Sequence, residues 1–166
     1  MRTEVYKLFG MDVTQIPGLE FLALQLFSEV GRDMSRWASA ARFVSWLALC
    51  PDNDISGGRV LWPGKRRVHN RAGQLFRMAA FALDRSPTPL GGYLRRMKAK
   101  LGPQAAHTAT GHKIAVIFYT MIRNQTEYNE SIWEHRDAQR RHRHTASLKR
   151  QAAHGLATID PIQEAA

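Results

Sequence analysis

Ser56, Gly57 and Gly58 stand together in NDISGGRVLWPGKRR, residues 53–67, and three consecutive cations, Lys65, Arg66 and Arg67, close the same stretch. A serine hydroxyl acts as a nucleophile when it is exposed, when the electrophile can come close and when the developing negative charge is stabilised. Paired glycines leave backbone N–H groups unshielded and accept positive φ, so a phosphate can approach such a hydroxyl. The cations would neutralise it. On these residues alone, Asp-Ile-Ser-Gly-Gly is equally good as an ordinary turn, and both readings stand. His69 is the nearest imidazole in sequence, but no spacing makes it a base. Asp52 and Asp54 form a lone D-x-D, which suits turn residues better than a metal site. Cys50, the single cysteine, precludes an internal disulfide, fits a reducing cytosol and ends an apolar run as a small core residue.

The charge is concentrated around that stretch. The 166-residue chain carries a net +10. From Ser56 to Lys113 there are twelve Lys or Arg and one acid, Asp84, a net +11, whereas the rest holds twelve and thirteen, a net −1. A localised field of this size points to a polyanion, with nucleic acid first and a membrane surface second, since no stretch pairs cations with a strongly apolar face and interfacial aromatics. The candidate contacts are Gly57, Gly58, Arg59, Lys65, Arg66, Arg67, Asn70, Arg71, Arg77, Arg95, Arg96, Lys98, Lys100 and Lys113, with His112 as a further donor. Arg71 and Arg77, six residues apart, need not share a helix face. Of the four tryptophans, Trp37 and Trp46 read as core, and Trp62, placed in the loop between Ser56 and the cations, is the candidate for stacking on a base. No apolar run reaches the roughly 20 residues a membrane span needs, and the first residues lack the apolar stretch of a signal peptide. A cytoplasmic location without membrane association is expected.

The elements that must position these residues read as helices with clear punctuation, and the expected fold class is mainly α. Residues 19–30 follow Pro17-Gly18 and stop at Gly31, a suitable C-terminal glycine. Residues 39–50 open on Ser39 as N-cap and end before Pro51, with Phe43, Trp46, Leu47 and Cys50 on one face. Residues 51–67 read as loop or short hairpin. Helices are expected at 71–84, stopped by Pro87 and Pro89, and at 90–101, a basic segment ending at Gly102-Pro103. Ile114, Ile117, Phe118, Met121 and Ile122 then form an amphipathic stripe. Two regions follow, a domain over 1–128 and a polar, basic tail over 129–166, helical or disordered. The stretch QIPGLEFLALQLFSEVG resembles the second half of a helix-hairpin-helix, whose turn aims N–H groups at a DNA phosphate. Glu20 replaces the second glycine of that turn, and a carboxylate there repels phosphate, so an ordinary helix started through Pro-Gly is the competing reading.

Taken jointly, FGMDVTQIPGL, SEVGRDMSRWASAARFVSWLALCPDNDISGGRV, RRVHNRAGQLFRMAAFAL, LGGYLRRMKAKLG and TATGHKIAVIFYTMIRNQTEY resemble the C-terminal transposase domain of insertion-sequence-110 family transposases, the bridge-RNA-guided serine recombinases. The resemblance runs over roughly residues 9–128, in family order and at family-like spacing. It implies DNA transposition and recombination, with Ser56 as the nucleophile that attacks a DNA phosphodiester, forms a covalent phosphoserine and passes the strand to a new end. It makes DNA and a guide RNA the expected partners of the basic region, and a homo-oligomer with a full-length form the expected assembly. The family's magnesium-binding acidic tetrad lies on an N-terminal RNase-H-like domain. No four carboxylates of this chain replace that tetrad, so the chain is expected to be a truncated form that binds no cofactor alone, Mg2+ entering only with that domain. A catalytically inactive DNA- or RNA-binding module is the alternative, and a general basic RNA-binding protein a third class.

Overall fold

The computed structural model describes residues 2–50, 54–57, 59–62, 70–130 and the short pieces 138–139, 142–143 and 145–152; of 54, 55 and 60–62 it describes the backbone alone. Up to Tyr128 the described residues form six α-helices: α1 (Arg2–Phe9), α2 (Ala23–Val30), α3 (Ala40–Trp46), α4 (Arg71–Ala82), α5 (Pro89–Leu101) and α6 (Pro103–Asn124). The mainly α expectation holds. One antiparallel hairpin, β1 (Asp54–Ser56) and β2 (Arg59–Trp62), lies between α3 and α4.

Local chemistry explains most helix ends. Asn70 caps α4 by accepting from the Gly73 N–H at 2.9 Å, and Thr88 caps α5 by accepting from Gly91 N–H at 3.3 Å, with Pro89 in the first turn where its missing N–H costs nothing. Ser39 caps α3 as expected, accepting from Arg42 N–H at 3.3 Å. Gly31 (φ +72) ends α2, its N–H donating to the Phe27 carbonyl at 2.8 Å.

Two boundaries differ from the expectation. Residues 19–22 form turns rather than the first turn of α2, the N–H groups of Leu22 and Ala23 both donating to the Leu19 carbonyl at 3.0 Å. The preceding Gly18 sits at φ +91, and a Cβ there would lie 2.5 Å from the Ala79 carbonyl oxygen of α4. Pro17-Gly18 therefore lets the chain pass against a helix backbone, with Ile16 and Leu19 fully buried on either side. α3 stops at Trp46, four residues before Cys50, because Ala48 turns left-handed (φ +53). Ala48 N–H donates to Ser45 O and Leu49 N–H to Val44 O, both at 3.1 Å, the double closure that ends many helices. The sequence period runs on to Cys50, but Leu47, Ala48 and Leu49 are all buried, so the turn itself forms part of the core. Trp46 is corrected as well: it is 40 % exposed at the helix end, its ring 5.0 Å from that of buried Trp37.

α6 is the central helix of the unit that ends at Tyr128, packing against α3, α4 and α5. Its buried side includes Ile114, Phe118, Met121 and Ile122 of the expected stripe; Ile117 is half-buried. The Phe118 ring meets Phe9 at 5.5 Å, Phe76 at 5.4 Å and Phe43 at 6.3 Å, joining α1, α3 and α4 in one aromatic cluster. Edge-on pairs like the first two add about 0.5–1.5 kcal/mol each beyond area burial. Tyr119 hydroxyl donates to the Trp37 carbonyl at 2.8 Å, satisfying a buried acceptor. Close approach of α6 to α4 uses Gly111, where a Cβ would lie 2.9 Å from the Phe76 oxygen. The second unit, Asn129–Ala166, is helical over 145–152, where Arg150 Nε donates to the Ala146 carbonyl at 3.4 Å.

Candidate nucleic-acid interface

The hairpin carries Ser56. The strands pair Asp54 with Trp62, Ile55 with Val60 and Ser56 with Arg59, so Leu61 is an extra residue that interrupts the ladder. Ser56 and Arg59 close the hairpin as its last paired residues. Gly57 has φ +56, the left-handed value that turns matching the strand twist require at that place. Among the described residues, and apart from its two chain neighbours, none places a heavy atom within 4 Å of where a Gly57 Cβ would be. Ser56, Gly57 and Arg59 are exposed. Trp62 belongs to β2, within the stretch expected to be loop or short hairpin. Gly58, Lys65, Arg66, Arg67 and His69 lie outside the described residues, as does the side chain of Trp62.

α4 begins just beyond. Asn70 uses both ends of its amide inside the protein: the oxygen caps α4, and Nδ2 donates to the Trp46 carbonyl at 2.9 Å. These two bonds tie α3 to α4. Arg71 Nε lies 3.3 Å from Glu29 Oε1 of α2, although its side chain is 84 % exposed. Such surface pairs contribute little and leave most of the guanidinium available to a second anion. Arg77 is half-buried, and burial holds its guanidinium below the usual value. It remains charged at any physiological pH.

α5 splits its cations between two roles. Arg95 Nη1 donates to the Ser86 carbonyl at 2.8 Å, and Lys98 pairs with the Asp84 carboxylate. Both tie α5 to the α4–α5 turn, and Lys98 absorbs the one acid of the basic region. The hydrogen bond from Lys98 is the main reason the Asp84 carboxyl is held below its ordinary value, with burial opposing and the positive charges of Lys98, His107 and Arg85 adding to it. Arg96 and Lys100 share the neighbouring face of the helix, four residues apart; Lys100 is exposed and Arg96 half-buried. Arg85, in the turn beside Asp84, is exposed. The charge count included it, but no helical pattern singled it out. Lys113 is half-buried on α6, and His112 Nδ1 lies 3.4 Å from the Leu49 carbonyl. Among the described residues no group of three His, Cys, Asp or Glu side chains could hold a metal ion, and no helix is long and apolar enough to cross a membrane.

The structure thus defines a mainly α-helical domain with a basic middle third and an exposed serine at a hairpin tip. Residues 12–91, which include the Pro-Gly turn, the hairpin and α4, match the family model described as Transposase IS116/IS110/IS902 family. The match supports an insertion-sequence transposase assignment for this segment and a role in DNA transposition or recombination. Neither the curated proteins nor the solved structures contain a match.

Proposed function

We propose that this chain is the strand-transfer domain of an insertion-sequence transposase, with Ser56 as the nucleophile toward a DNA phosphodiester and the basic region as the surface for DNA and a guide RNA. One observation carries the reading: Ser56 stands exposed at a hairpin tip, next to Gly57, within the segment that matches the transposase-family model. In the step so proposed, Oγ forms a bond to phosphorus and the ester bond to one DNA oxygen breaks. That oxygen leaves with the electron pair and gains a proton from solvent, while the serine proton passes to solvent at this open site. Bond energy stays in the phosphoserine ester, so the second strand end needs no external energy source. Mg2+ enters this scheme through an acidic RNase-H-like domain acting together with the chain in a homo-oligomer with the full-length form.

The test is a covalent one. End-labelled DNA incubated with the chain and an acidic partner domain should yield an adduct that survives denaturation, maps to Ser56 and is lost in Ser56→Ala. DNA binding with no adduct under complementation would favour the inactive binding module.

A further inference from the structure

The register of the hairpin fixes one cation relative to Ser56. Ser56 and Arg59 are the backbone partners that close the hairpin. Directly opposed residues of an antiparallel pair project from the same face, with Cβ atoms about 4.5–5.5 Å apart. The Arg59 guanidinium, on its longer stem, can therefore reach over the space in front of the Ser56 hydroxyl. Gly57, between them, adds no side chain of its own. Other described cations are placed differently: Lys98 is drawn to Asp84, Arg95 to the Ser86 carbonyl and Arg71 toward Glu29.

We infer that Arg59 binds the non-bridging oxygens of the phosphodiester that Ser56 attacks. This rests on the reading of Ser56 as nucleophile. The guanidinium fork matches two phosphate oxygens at once, which holds the phosphorus before the hydroxyl and offsets the charge that grows as the Oγ–P bond forms. The α5 cations then position the nucleic acid, while Arg59 acts at the reacting phosphate. Lysine, a point charge without the fork, should serve only in part.

Two phosphorus electrophiles of different charge separate this role from a merely structural one. Bis(4-nitrophenyl) phosphate is an anionic diester; attack by Ser56 forms the Oγ–P bond and expels 4-nitrophenolate. Diisopropyl fluorophosphate is neutral and loses fluoride on the same attack. With the acidic partner domain and Mg2+ present, labelling of the Ser56 peptide is followed by mass spectrometry in the wild type, Arg59→Ala, Arg59→Lys and Ser56→Ala. Loss of a charged hydrogen-bonding partner predicts that Arg59→Ala slows anionic labelling by about tenfold or more, with neutral labelling changed by less than about threefold and Arg59→Lys in between. Equal slowing with both probes, or none with either, overturns the role of Arg59 while the nucleophile survives. Failure of both probes to label wild-type Ser56 removes the nucleophile reading and this inference together.

Discussion

Asp84 and Lys98 meet across the α4–α5 turn, and the pair sets an acid-side pH dependence. Because the folded carboxyl titrates below its unfolded value, its contribution is fully present above the unfolded pKa, near 3.8, and is lost as pH falls through the folded one. Lys98→Met should move the Asp84 titration back up toward the ordinary carboxylate range, read from its side-chain carbon shift by NMR. An unchanged titration would mean that the ion pair does not persist in solution. A second residue-scale prediction concerns Thr110, fully buried on α6 with no hydrogen-bond partner for its hydroxyl among the described residues. Thr110→Val removes that uncompensated group at nearly constant shape and should stabilise the fold by about 1 kcal/mol in urea unfolding. A loss of stability instead would reveal a bound partner, such as an internal water. Asn70 shows what single-residue reading misses. Its position before a basic helix suggests a phosphate contact, but an asparagine there is also a good N-cap, and the Trp46 carbonyl 24 positions earlier in the chain takes up its other end.

Helix α3 and its junction with α4 carry the element-scale predictions. Ala48 holds a left-handed conformation that a Cβ disfavours, so Ala48→Gly should stabilise the α3 terminus by about 1 kcal/mol, measured as an increase in unfolding free energy. A β-carbon at Gly73 would collide with the Leu47 carbonyl at this junction. Gly73→Ala should therefore destabilise by about 1–3 kcal/mol, despite the better helix propensity of alanine, because α3 and α4 must separate. A gain in stability would mean that the helices are less closely packed than described. Most elements were legible: Ser39, Gly31, Pro89 and Gly102 are local signals, and local signals place α3, α4 and α5 to within a few residues. The first turn of α2 was not legible, since its residues have helical periodicity but are held as turns where Gly18 lies against α4. α1 was not foreseen either; its anchors, Val5 and Phe9, acquire meaning only when Phe9 meets Phe118.

At the scale of the whole molecule, the basic region should act through counterion release. Replacing Lys65, Arg66 and Arg67 together by alanine should lower the slope of log Kd against log salt by roughly 2–3 for duplex DNA, each phosphate contact contributing about 0.9. Lys98→Met should leave that slope nearly unchanged, since Lys98 is committed to Asp84. Equal flattening by both changes would argue for a diffuse field rather than assigned contacts. The sequence by itself determined the helical class, most caps, the excess of charge between Ser56 and Lys113, and a serine with two glycines in a hairpin-competent stretch. Those properties follow from composition, period and neighbours in the chain. Tertiary structure decided which cations are engaged internally, that Gly18 serves packing against Ala79, and that Arg59 stands opposite Ser56. Such pairings depend on strand register and on how helix backbones approach one another, and no local window of residues contains that information.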